Sequence, residues 1–245
     1  MYSTICTMVG LSTELTIPFK QALAQGRESA MLETRGEEWR RTWNSDAYHY
    51  EMAFKGVFNQ KFNTFLDERR KSKKVYALDL MSTPAMLTDL HIDGGVAVGL
   101  GNPPMDKYAE KMEKKNISYI PGNLLTRQPW NDIEKWKKEN DVRGFDLITC
   151  RPDMQGGHIN IHKDHIPMTA GTYFSLLNRA WNQLDSDGGV LLVEIPMLMY
   201  KNGISKEVII EWLSRLSNQK IDFAYQQDMA FKLVKHPLSP ANLPT

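Results

Sequence analysis

The stretch KVYALDLMSTPAML, residues 74–87, is a short apolar run that passes directly into a polar turn. Four further runs have the same character: GGVAVGLGNPP (94–104), ISYIPGNLL (117–125), GFDLITCRPD (144–153) and GGVLLVEIP (188–196). Each is too short and too uniformly apolar for a strand with one face in water, and polar sequence of helical period follows each one. Together they predict a doubly wound α/β fold, in which helices cover a parallel sheet.

The predicted helices between and after these strands are 84–91, 105–116, 130–140, 167–184 and 205–218. The segment KIDFAYQQDMAFKLVKHP (220–237) breaks the alternation, because its β-rich runs, 221–226 and 229–235, lie too close together to enclose a helix. It predicts a terminal antiparallel hairpin that completes a mostly parallel, seven-stranded sheet.

The segment that precedes the first strand has a helical pattern. Between positions 37 and 70, aromatic and apolar residues recur at spacings of mostly three or four and predict one buried helical face: Trp39, Trp43, Phe54, Phe58, Phe62, Phe65 and Leu66. A basic run at 69–74 is then expected to be a solvated helix end. We divide the chain into an N-terminal helical extension or lid (1–70), the α/β domain (71–237) and a tail (238–245).

Composition limits the classes of partner. The 30 basic and 29 acidic residues of the 245-residue chain leave no global field that would attract nucleic acid or an anionic membrane. Two cysteines imply no disulfide framework and favour a reducing compartment. No apolar segment approaches the roughly 20 residues that span a bilayer. We expect a soluble, cytoplasmic protein with no membrane partner.

Three motifs carry a resemblance to a known family. In order and spacing, ALDL (77–80), GFDLITC (144–150) and LDSDGGVLLVEIP (184–196) resemble the class I S-adenosylmethionine-dependent methyltransferases over about residues 72–235. The resemblance implies a Rossmann-like methyltransferase fold, S-adenosylmethionine as cofactor, and transfer of its methyl group to an acceptor.

Ligands of such sheets bind at the carboxyl ends of the strands. The resemblance implies that Asp79 orients the cofactor loop, in which Met81, Ser82 and Thr83 stand where the family uses glycines. Pro84 suits the first turn of the next helix, which Ser82 or Thr83 can cap.

The remaining cofactor positions follow the later strands. Gly101 occupies the position of the family's ribose-binding acid, and Asn102 offers a carbonyl acceptor beside it. Asn123, followed by Leu124, stands where the family meets the adenine amino group. Cys150 and Arg151 begin the acceptor-facing loop, although Cys150 also suits a small core residue. Arg151 and Asp153 either hold the acceptor or the cofactor carboxylate, or pair with each other.

Histidines cluster in the loop that follows the fourth strand. His158, His162 and His165 share one face if they are helical, which is a spacing that can bind zinc. Pro167 disfavours helix just before it, so we expect no metal. We instead expect His158, with Asp153, to position the acceptor or act as general base, because an imidazole titrates near neutral pH.

Two other functions are alternatives to methyl transfer. A nicotinamide-dependent dehydrogenase shares the parallel sheet, but the chain has no G-x-G-x-x-G after a strand. A catalytically inactive binding or scaffolding module is favoured by the lost glycines and ribose acid. For an active enzyme, a small molecule or a protein is favoured as acceptor over nucleic acid, because no Asn-Pro-Pro-Tyr signature follows the fourth strand. The oligomeric state stays open.

Overall fold

The computed structural model describes residues 46–99, 105–122, 124, 126–151, 170–194, 206–217, 219, 221–226 and 230–243. The strands are β1 (Tyr76–Leu80), β2 (Gly94–Gly99), β3 (Ile117–Pro121), β4 (Leu147–Cys150), β5 (Gly189–Glu194), β6 (Asp222–Gln226) and β7 (Ala230–Lys235). The helices are α1 (Ala47–Phe54), α2 (Phe62–Arg70), α3 (Ala85–Asp89), α4 (Ala109–Lys114), α5 (Gln128–Glu139), α6 (Ala170–Gln183) and α7 (Lys206–Ser217), with a 3₁₀ turn at Met105–Lys107.

All seven strands form one sheet in the order β3-β2-β1-β4-β5-β7-β6. The first five strands are parallel, and β7 is antiparallel to both β5 and β6. The predicted mostly parallel sheet and terminal hairpin are therefore confirmed. Chain order reverses between β1 and β4, which makes their carboxyl ends the switch point where open α/β sheets bind ligands.

Alternation along the strands divides the core between the two faces of the sheet. Leu78 and Leu80 of β1 face one cluster, which includes Trp130, Trp181 and Trp212 from α5, α6 and α7. Ala77 faces the other cluster, together with apolar residues of α1, α2, α3 and α4. Because successive strand residues point to opposite faces, Asp79 lies on the same face as Ala77 and meets α1.

In the described part of the segment before β1, from residue 46 onward, two helices replace the single helical face predicted from the aromatic spacing, and Trp39 and Trp43 lie outside the described residues. The first helix ends at Phe54, and the amide N–H groups of Val57 and Phe58 both turn back to the carbonyl of Phe54. Gly56 lowers helix propensity at this turn. The second helix begins at Phe62, whose N–H donates to Glu51 Oε1 at 2.8 Å. This bond satisfies an amide that a helix start otherwise leaves without a partner.

In the basic run, Arg70, Lys71 and Lys74 are exposed as predicted, but Arg69 and Lys73 are less solvated. Arg69 Nε lies 2.6 Å from Asp146 Oδ1, and the side chain of Asp146 is only 1% exposed. Lys73 Nζ reaches the same oxygen at 2.9 Å. The end of α2 is thus tied to the amino end of β4 by buried charge, which a local sequence pattern does not reveal.

The described part of the C-terminal tail packs against α6. Trp181 Nε1 donates to the carbonyl of Pro240 at 2.9 Å, and the N–H of Leu243 donates to Asn178 Oδ1 at 2.8 Å.

On the opposite face, α1 and α2 contribute to the core around β1. The division into 1–70, 71–237 and 238–245 stays a prediction. Among the described helices, none has the length and hydropathy that a bilayer crossing demands.

Candidate functional site

Asp79 lies at the centre of a buried hydrogen-bond network at the switch point. It is fully buried in β1 and is the register partner of Thr149 in β4. Thr149 Oγ1 donates to Asp79 Oδ1 at 2.7 Å, and the Tyr50 hydroxyl donates to Oδ2 at 3.0 Å. Both carboxylate oxygens therefore receive a hydrogen bond from within the chain.

Burial controls the protonation of this network. Loss of solvation raises the pKa of Asp79 to about 7, and the hydrogen bonds from Thr149, Ser82 and Tyr50 oppose part of that rise. The pKa of the Tyr50 hydroxyl is raised well above its ordinary value, first by burial and then by the charge of Asp79. Tyr50 consequently stays a phenol and a hydrogen-bond donor.

Tyr50 belongs to this network, although the sequence did not reveal it. It comes from α1, and its hydroxyl lies 2.9 Å from Ser82 Oγ as well as close to Asp79. The hydroxyl thus connects the extension to the loop after β1. Its position in an aromatic, helical segment indicated packing only, and no local signal marks its polar role.

The loop after β1 contains a residue with a backbone conformation typical of glycine. Met81 has φ of 67°, in the left-handed region that a side chain other than glycine rarely adopts. The N–H of Ser82 then donates to the carbonyl of Val98 at 2.9 Å, which joins the loop to β2. A methionine therefore occupies a backbone conformation that glycine adopts more readily.

The loop enters α3 differently from the predicted side-chain cap. Pro84 itself is the N-cap residue, and no side chain completes the cap. Thr83 Oγ1 accepts a long hydrogen bond of 3.4 Å from the N–H of Ala85. Ser82 Oγ instead lies 3.0 Å from the carbonyl of Thr83. Ser82 and Thr83 are both buried, so they order the loop from inside.

Arg151 covers the network from the end of β4. Its guanidinium carbon lies 4.9 Å from the centroid of the Tyr50 ring, and its Nε donates to Glu194 Oε2 of β5 at 2.8 Å. Arg151 is 7% exposed. Glu194 is an ion-pair partner of Arg151, and pairing with Asp153 stays a prediction because Asp153 lies outside the described residues.

Cys150 and Leu124 are both buried. Burial raises the pKa of the Cys150 thiol, and the charges of Asp79 and Glu194 raise it further, so the thiol stays protonated. Leu124 packs in the cluster of α5, and its carbonyl accepts from Trp130 Nε1 at 2.8 Å. These positions suit core packing, as the sequence indicated for Cys150.

Five predicted site residues lie outside the described residues: Gly101, Asn102, Asn123, Asp153 and His158. The same holds for His162 and His165, on which the metal question depends. The described residues contain no group of three or more metal-ligating side chains. The structure therefore brings together Asp79, Ser82, Thr83, Cys150 and Arg151, with Met81 at the entrance of the loop. The assignment of all these residues to a cofactor site stays a prediction.

Strand order and direction decide the fold class. The fold is that of the class I methyltransferases. No protein-family model and no curated protein matches the chain. The methyltransferase fold is thus supported by topology and not by similarity of sequence.

Several solved methyltransferase structures resemble the chain. One is a putative ribosomal RNA methyltransferase from Plasmodium falciparum, with 14% identity and a TM-score of 0.42 over 81% of this chain and 100% of that one. Another is a putative caffeoyl-CoA O-methyltransferase from Staphylococcus aureus, with 12% identity and a TM-score of 0.39 over 86% and 99%. A third is CalS10, an amino pentose methyltransferase from Micromonospora echinaspora with S-adenosylmethionine bound, at 12% identity and a TM-score of 0.39 over 93% and 99%. These values are too low to indicate a function.

Proposed function

We propose that the chain binds S-adenosylmethionine at the carboxyl ends of β1, β2 and β4 and transfers its methyl group to a small molecule or a protein. The observation that carries this proposal is the polar network of Asp79, Tyr50 and Arg151 at the switch point of a methyltransferase fold. Buried polar groups cost free energy of folding, so their concentration at this edge favours a functional role over simple packing.

The described residues can support such a ligand by ordering the loop beside it. The carboxylate of Asp79 is sealed by Tyr50 and Thr149, so it orients the loop and does not contact the cofactor. The left-handed turn at Met81 supports the fit, because it preserves the backbone path that glycine usually provides. Arg151 can pair with the cofactor carboxylate in place of Glu194. Gly101, Asn102 and Asn123 are proposed for the ribose and adenine.

The bound cofactor would supply an electrophilic methyl group on a sulfonium. The protein must then align the acceptor with that methyl group and exclude water, and no fixed catalytic side chain is required for the displacement. We assign acceptor positioning to Asp153 and removal of the acceptor proton to His158, because imidazole side chains commonly serve as general bases.

A second candidate is a catalytically inactive module with a methyltransferase fold. The observation that favours it is that these polar side chains have hydrogen-bond partners within the chain. Asp79 accepts from Tyr50 and Thr149, and Arg151 donates to Glu194. A network that is complete without a ligand is consistent with a purely structural role, in which it joins α1 to the sheet. Binding of the cofactor separates the two candidates.

The test is calorimetric titration of the full chain with S-adenosylhomocysteine, followed by thermal melting. An active site predicts saturable heat and a gain of about 2.7 kcal/mol in unfolding free energy at a hundredfold excess over Kd. That gain corresponds to roughly 5–10 °C in Tm for a chain of this size. NAD⁺ is the matched control and should give neither signal. Absence of heat and of a Tm shift at millimolar S-adenosylhomocysteine would support the inactive module.

A further inference from the structure

A groove of about 240 Å³ opens between α5 and α6, on the face of the sheet opposite α1. It is lined by two arginines, three side-chain amides and one indole: Arg127, Arg179, Asn131, Asn182, Gln183 and Trp130. None of these six side chains is a carboxylate. The groove is consequently rich in hydrogen-bond donors and carries positive charge.

Arg179 is fixed at the wall of this groove. Its Nη1 donates to the carbonyl of Thr126 at 2.9 Å, and its guanidinium carbon lies 5.9 Å from the centroid of the Trp130 ring. Trp130 is itself held by its bond to the carbonyl of Leu124. A side chain that is already ordered loses less conformational entropy when it binds a ligand.

The two arginines form a pair of like charges. Partial burial lowers the pKa of Arg179, and the charge of Arg127 lowers it further. In the described part of the chain, neither guanidinium forms an ion pair with a carboxylate. Two acids of α5 lie nearby. Asp132 accepts from Gln128 Nε2 at 3.0 Å, and Glu134 accepts from Lys137 Nζ at 3.3 Å and from the groove residue Gln183 at 2.7 Å. The two cations are therefore not neutralised within the described residues.

We propose that this groove binds the phosphate of a small phosphorylated ligand. A guanidinium group can donate two parallel hydrogen bonds to phosphate oxygens. An anion bound between Arg127 and Arg179 would attract both cations and offset the repulsion between them. Asn131 supplies a further amide donor, and Asn182, whose Nδ2 also donates to Asn242 Oδ1 at 3.3 Å, has a second N–H to offer. Gln128 begins α5 at the same place without a side-chain cap, so the positive end of the helix dipole adds to the field. This site goes beyond the proposed methyl transfer and does not depend on it.

Titration calorimetry of the full chain with inorganic pyrophosphate, at low ionic strength, tests the proposal. We expect saturable binding that the double variant Arg127→Gln, Arg179→Gln weakens by about tenfold or more. Arg143→Gln is the matched control, because Arg143 is exposed and does not line the groove. The control should bind within about twofold of the wild type, and thermal melts should show that all variants fold.

The single variant Arg127→Gln keeps the test valid if Arg179 proves necessary for folding. Arg127 is exposed, so its replacement should weaken pyrophosphate binding without lowering Tm. Adenosine monophosphate, in a parallel titration, distinguishes a nucleotide from free phosphate as the source of the anion. Three results overturn the proposal: no binding of pyrophosphate at millimolar concentration, equal weakening by Arg143→Gln, or binding of single-stranded RNA without any binding of pyrophosphate.

Discussion

The phenol of Tyr50 donates a 3.0 Å hydrogen bond to the buried carboxylate of Asp79, although 29 positions separate the two residues along the chain. This bond connects α1, in the N-terminal extension, with the strand whose end forms the switch point. Thr149 supplies the second donor from the neighbouring strand at 2.7 Å. Asp79 therefore couples three separate parts of the chain, and its protonation should affect the stability of all of them.

Tyr50→Phe removes one donor from Asp79 while keeping the ring. At pH 8 Asp79 is mostly ionised, and the substitution leaves one oxygen of its buried carboxylate without the Tyr50 donor. We therefore expect the free energy of unfolding to fall by about 1–3 kcal/mol. Urea unfolding measures this change. Tyr76→Phe is the matched control, because within the described residues the Tyr76 hydroxyl makes no hydrogen bond, and it should change stability by about 0.5 kcal/mol or less. Equal effects of the two substitutions would refute the role of the Tyr50 hydroxyl.

Asp79 should also make stability depend on pH. Its pKa is about 7 in the folded protein against an ordinary value of 3.8, so the folded state holds the proton more tightly than the unfolded chain. The contribution of Asp79 is therefore greatest below about pH 4, falls as pH rises, and levels off above about pH 7. Between these limits the slope should be about 1.4 kcal/mol per pH unit.

The comparison variant for this prediction is Asp79→Asn, which resembles the protonated acid and does not titrate. Unfolding free energies of both proteins at pH 5, 6, 7 and 8 give the contribution of Asp79 as a difference. The wild type should lose stability relative to the variant up to about pH 7 and run parallel to it above that point. Parallel curves over the whole range, or a relative gain with pH, would show that burial does not raise the pKa of Asp79.

The fold could be predicted from the sequence because its signals are local. Each apolar run became a strand, and the two short runs at 221–226 and 229–235 became the hairpin with bounds shifted by at most one residue. The rule that ligands bind at the carboxyl ends of parallel strands also selected Asp79 and Arg151, which both contact Tyr50 in the structure. Such predictions require only the order of residues along the chain and the period of a strand or helix.

The side-chain partners could not be predicted in the same way. Tyr50 reaches Asp79 only because α1 packs on the face of the sheet that Asp79 shares with Ala77. Arg151 finds Glu194 across 43 positions, a partner that the sequence did not indicate. These contacts depend on how helices and strands pack, and the sequence pattern carries no information on that packing.

The ion pair between Arg69 and Asp146 gives a third prediction. Arg69 also donates to the carbonyls of Asp187 and Gly188, at 2.6 and 3.2 Å. Arg69→Met should lower the free energy of unfolding by about 1.5–3 kcal/mol, because a buried carboxylate loses a charged donor while Lys73 remains. Arg70→Met is the control: its pair with Asp93 is far more exposed and should contribute about 0–1 kcal/mol. Chemical denaturation that gave the larger loss for Arg70→Met would contradict the structure.

The left-handed backbone at Met81 can be tested by comparing two replacements of the same side chain. Met81→Gly and Met81→Ala both remove the packing of the methionine, but only alanine keeps the Cβ atom that strains a residue with φ of 67°. Glycine should therefore be the more stable replacement by about 0.5–1 kcal/mol, although it adds entropy to the unfolded chain.

Met52 provides the opposite control for this last prediction. It lies in α1 with 52% of its surface exposed, and there alanine should be more stable than glycine by about 1 kcal/mol. Urea unfolding of the four variants gives both differences under one set of conditions. A reversal of sign between positions 52 and 81 establishes the strained turn after β1. If alanine is the better replacement at both positions, Met81 does not adopt the left-handed conformation, and the loop does not preserve the backbone path of a glycine turn.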